Sequence, residues 1–107
     1  MTASRTEQLL GALRSQLDQL DTQLLMLLSR RFEVCREVAV CKAQHGIPMM
    51  QPERIEKVKQ RMIALGAEHG VSENFIVRLF ELIIAEACRM EISIIQRTGG
   101  DDRALEA

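Results

Sequence analysis

Leu10, Leu13, Leu17, Leu20, Leu24, Leu27, Val34, Val38 and Cys41 recur at alternating steps of three and four residues. This heptad seam predicts one helix over about residues 6–44, interrupted only by Gly11. A helix of roughly 38 residues measures about 57 Å. A compact domain of this size has a radius of gyration of only about 13 Å. The chain cannot cover such a helix by itself, so the seam predicts a partner. Residues 46–51 read as a loop, and Pro52 suits the first position of a second helix, with Gln51 a weak cap before it. Ile55, Val58, Met62 and Leu65 mark that helix, and Gly66 and Gly70 are expected to loosen its end. Ser72 is a good N-cap for a third helix, with Glu73 in its first turn. Its apolar stripe is Phe75, Ile76, Leu79, Phe80, Ile83, Ala87, Met90 and Ile94, and Gly99-Gly100 is expected to stop it. The expectation is an all-α chain of three helices, one very long, in a helical-bundle homodimer. The helical domain is placed at residues 1–98 and a flexible tail at 99–107.

Composition narrows the function. The 107 residues carry a net charge of −1, which argues against a dedicated nucleic-acid binder. With three Phe and neither Tyr nor Trp, no base-stacking surface is available. No apolar run approaches the roughly 18 residues of a membrane span, and no signal-peptide pattern opens the chain. The expected compartment is the cytoplasm. Cys35, Cys41 and Cys88 are odd in number and lack zinc-like spacing, so they read as small core residues. His45 and His69 are too isolated to suggest a metal site, and no cofactor is implied.

Several charges do not suit a plain bundle. Arg31 occupies a seam position that is otherwise apolar. A buried, unpartnered arginine costs several kcal/mol, so either an internal carboxylate or an anionic ligand must meet it. Arg14 and Lys42 share the heptad position beside the seam, about 42 Å apart along a helix. In one chain they cannot hold one small ligand. In an antiparallel pair each Arg14 lies near the other chain's Lys42, which makes two equivalent mixed sites. The plain alternative is a pair of snorkelling rim cations. Glu91 stands one turn after Ala87, beside the stripe of the third helix. It is either solvated or, if buried near cations, a proton donor or charge partner. Arg54 lies in the first turns of the second helix, where anions are favoured. Four cations, one carboxyl group and no nucleophilic constellation fit recognition of a small dianion better than hydrolysis.

The sequence resembles the all-α chorismate mutases over about residues 8–95. The likeness rests on LGALR (10–14), DQLD (18–21), LLMLLSRR (24–31), Lys42, the Pro52-Glu53-Arg54 turn and FIVRLFELII (75–84). Arg14, Arg31, Lys42 and Arg54 fall at the family's cationic positions without a gap. The resemblance implies an intertwined dimer with active sites shared between chains. It also implies a Claisen rearrangement of chorismate to prephenate with no cofactor and no covalent intermediate. In such a reaction, conformational selection and charge complementarity do the catalysis. By the same resemblance, Arg31 and Arg14 of the partner subunit clamp the substrate carboxylates, a role suited to the bidentate guanidinium. Lys42 and a protonated Glu91 face the ether oxygen, and Arg54 completes the anionic pocket.

Three positions depart from the commonest pattern. Gln51 stands where many members have Asp, Ile55 where they have Glu, and Ala87 where some have Ser. The first two line the side handling the substrate's 4-position group. Mutases of 4-amino-4-deoxychorismate look similar around GIPMMQPER (46–54), and isochorismate-pyruvate lyases share a Pro-Glu-Arg followed by an aliphatic residue. The readings are therefore a mutase of chorismate or its 4-amino analogue, a lyase in the same pocket, or a non-catalytic helical dimer serving regulation or scaffolding.

Overall fold

A computed structural model describes the backbone of residues 2–106 and the side chains of residues 4–97. Among the described residues there are three helices and no strand: α1 (Thr2–His45), α2 (Pro52–Glu68) and α3 (Glu73–Glu106). The all-α expectation holds. No helix is long and apolar enough to cross a membrane among the described residues. The chain divides into two compact units, Met1–Glu33 and Val34–Ala107.

Within the first unit, the seam leucines 13, 17, 20, 24 and 27 are all more than half exposed. The second unit contains the core. Ala39, Ile76, Ile83 and Ala87 are its buried apolar side chains. On α3, the spacing of Ile76, Ile83 and Ala87 is one helical stripe, as the periodicity predicts. Phe75 departs from the expectation at 55% exposed, because it lies one residue round the helix from Ile76. The cysteines depart too, since none is fully buried: Cys41 is exposed and Cys35 and Cys88 are half-buried.

Two helix ends use the same device. At the end of α2, Gly70 takes a φ of +72°. The Val71 amide donates to the Gly66 carbonyl at 2.8 Å and the Gly70 amide to Ala67 at 3.5 Å, a Schellman cap. At the end of α1, Gly46 takes a φ of +62° and the Ile47 amide donates to the Lys42 carbonyl at 2.9 Å. A side chain at either glycine would meet the steric penalty of the left-handed region. Ser72 caps α3 as expected, its Oγ accepting from the Phe75 amide at 3.3 Å.

Gly66 does not loosen α2. It is buried inside the helix, and a Cβ there would lie 2.8 Å from Ile76 Cγ1. Its missing side chain lets α2 approach α3, the two helices that pack together in this unit. Gly99 and Gly100 do not stop α3 either, since the helix runs on to Glu106. Each glycine costs a helix only about 1 kcal/mol, and the DRALE that follows favours helix. Of the tail expected at 99–107, Ala107 and all side chains lie outside the described residues.

Candidate active site

The last turn of α1 places Lys42 and the loop after it, while α3 presents Ala87 and Glu91 one turn apart. Lys42 Nζ donates to Glu91 Oε1 at 2.9 Å and to the Met49 carbonyl, also at 2.9 Å. The two side chains keep only 14% and 10% of their exposure. Of the two sequence readings for Glu91, burial beside a cation is the one realised. The rim-cation reading of Lys42 fails for the same reason. Burial strengthens the attraction between the charges, and one-sided loss would leave the other uncompensated.

Ala87 is buried on α3, one turn before Glu91. Gln51 is exposed at the cap position of α2, but its side chain makes no cap bond. Its Nε2 donates instead to the Pro48 carbonyl at 3.0 Å, folding the loop back on itself. Pro52 occupies the first turn as predicted, Arg54 follows it exposed to solvent, and Ile55 is half-buried. In the other unit, Arg14 is exposed and donates to Glu7 Oε1 at 3.3 Å, and Arg31 is half-buried.

The Met49 carbonyl is the contact that sequence reasoning missed. Its signal was faint: a glycine four residues beyond Lys42, followed by a short loop that must turn back. Glu86 is held below the usual carboxylate range by its hydrogen bond from Arg89 on the exposed side of α3.

The assembled group offers a buried ammonium, a buried carboxyl and adjacent small side chains. Paired charges of this kind can complement a charged ligand. The chorismate mutase type II family model matches residues 13–92, a span that includes Arg14, Arg31, Lys42, Arg54 and Glu91. The chain belongs to the chorismate mutase type II family. As a member of this family it is an enzyme of the isomerase type. A 4-amino-4-deoxychorismate mutase of Streptomyces venezuelae is 43% identical over 88 residues, covering 82% of this chain and 85% of that relative. One from Streptomyces pristinaespiralis is 39% identical, covering 77% of this chain and 64% of the relative. A chorismate mutase of Methanocaldococcus jannaschii is 30% identical over 83% and 90% of the two chains.

Proposed function

We propose that this family member carries out the Claisen rearrangement of a chorismate-type dianion, with 4-amino-4-deoxychorismate as its substrate and the aminoprephenate as product. In this step the ether C–O bond breaks as a new C–C bond forms, so substrate and product are isomers. No proton or electron is gained or lost, and no cofactor enters. Negative charge develops on the ether oxygen in the transition state. A fixed ammonium and a neutral carboxyl aimed at that oxygen stabilise it more than they stabilise the ground state. Lys42 and Glu91 take those roles. The observation that carries the reading is their contact at 2.9 Å, nearly out of water, in a chain of this family.

Arg31 and Arg14 of the partner subunit clamp the two carboxylates, Arg54 adds positive charge, and Gln51, Ile55 and Ala87 line the pocket. Gln51 supports the 4-amino choice, since a side-chain amide oxygen can accept from an amine. The 43% and 39% identities to two mutases of that substrate support it as well. Chorismate is the second reading, favoured by the likeness to the archaeal enzyme.

The functional unit in this reading is a homodimer with two shared sites. Its support is the exposed seam, with Leu17, Leu20 and Leu24 each 57–58% exposed in the single chain. The compartment is the cytoplasm, where cysteines outside disulfides, as these three are, stay reduced. No nucleic acid or membrane takes part.

The test offers 4-amino-4-deoxychorismate, chorismate and isochorismate in parallel and follows absorbance. The highest kcat/KM is expected with the amino substrate. Faster turnover of chorismate selects the second reading. Pyruvate released from isochorismate as the main activity overturns both.

A further inference from the structure

The segment 46–51 is tied to Lys42 at two points. The Lys42 carbonyl accepts from the Ile47 amide, and the Lys42 ammonium donates to the Met49 carbonyl, each at 2.9 Å. The first contact depends on the left-handed turn at Gly46, φ +62°. The second follows because that turn sends the chain back over the lysine's own side chain. Gln51 Nε2 on the Pro48 carbonyl braces the far end of the segment. An ammonium has three N–H donors. Met49 and Glu91 take two of them, at fixed positions on two different elements. That leaves one N–H, and two anchors determine its direction.

We propose that Gly46 and the Met49 carbonyl are positioning elements for Lys42: the loop clamps the ammonium against Glu91 and aims its third N–H at the reacting oxygen. The inference rests on the reading of Lys42 as a substrate-facing group. A free lysine samples many rotamers, and the ordering cost then falls within the catalytic step. A clamped one meets that cost on folding, which is how preorganised charge accelerates a reaction. The clamp therefore acts on kcat more than on KM.

The test has a readout that needs no substrate. In the substrate-free full chain, the Lys42 side-chain ammonium is followed by nitrogen-15 NMR for its hydrogen exchange. Gly46→Val disfavours the left-handed turn, and Gly46→Asn, which tolerates it, is the conservative rescue. A chain assembled with an ester in place of the Met49–Met50 amide weakens the carbonyl acceptor directly and keeps the proposal testable if Gly46→Val does not fold. The expected result is ammonium exchange several-fold faster in the valine and ester forms. With it, kcat falls by about tenfold or more while KM moves less than about threefold, and the asparagine form restores both readouts. Unchanged ammonium exchange in the ester form overturns the clamp. Faster exchange with unchanged kcat overturns the positioning role. In that case Lys42→Met decides the reading beneath it: retained turnover removes Lys42 from the site, and lost turnover leaves it there.

Discussion

Lys42 Nζ and Glu91 Oε1 meet at 2.9 Å across 49 residues of sequence, joining the end of α1 to the middle of α3. The carboxyl accepts from the ammonium through one oxygen and donates to a substrate oxygen only through an O–H. Replacing Glu91 therefore tests the proposed reaction.

Glu91→Gln keeps an N–H donor toward the ether oxygen and is expected to retain turnover. Glu91→Ala removes the donor and costs about 2–4 kcal/mol of transition-state stabilisation. Turnover in the glutamine variant as low as in the alanine variant would show that Glu91 is not the donor.

The exposed seam predicts an obligate dimer. Leu13, Leu17, Leu20, Leu24 and Leu27 line one face of α1 at 55–66% exposure, more apolar surface than a stable monomer leaves in water. Sedimentation at micromolar concentration is expected to give twice the 12.1 kDa chain mass. A folded species at the single-chain mass would end the dimer reading.

Shared sites predict complementation between inactive dimers. Arg14→Ala and Arg31→Ala are each expected to lose most turnover by losing a carboxylate clamp. After subunit exchange, a mixed dimer places both lesions in one site and leaves the other native. Activity should return to about half that of the parent per mixed dimer. With exchange demonstrated by a mass tag, absence of recovery would place both arginines in one chain's site or outside it.

Two glycines inside helices should respond to alanine with opposite sign. A Cβ on Gly66 meets Ile76 Cγ1 at 2.8 Å and the Val71 carbonyl oxygen at 3.1 Å. The carbonyl belongs to the Schellman-capped turn and cannot yield, so Gly66→Ala costs about 1–3 kcal/mol in denaturant unfolding. A Cβ on Gly11 meets only Glu7 Oε2, at 3.2 Å, the far end of a flexible side chain. Gly11→Ala therefore gains helix propensity of up to about 1 kcal/mol. Equal effects at the two sites would show that α2 does not need its close approach to α3.

Local interactions made much of this molecule legible in the sequence. Helix periodicity, the Ser72 cap, Pro52 in the first turn of α2 and the loop at 46–51 depend on residues within a few positions of one another. The four cations were also visible, because a charge beside an apolar seam stands out against its neighbours. Glycine was the local signal that misled. Gly46 and Gly70 end helices because they alone adopt a positive φ there, whereas Gly66, Gly99 and Gly100 lie within helices at modest cost. Sequence spacing could not separate these cases. Only tertiary structure chose between a solvated and a buried Glu91, since that depends on where α1 brings Lys42 after the chain has turned twice. It also assigned the Met49 carbonyl to Lys42, a contact made by backbone that every residue carries and no side chain announces. The burial of Gly66 under Ile76 likewise follows from the packing distance between two helices, which is set by both surfaces together and written in neither alone.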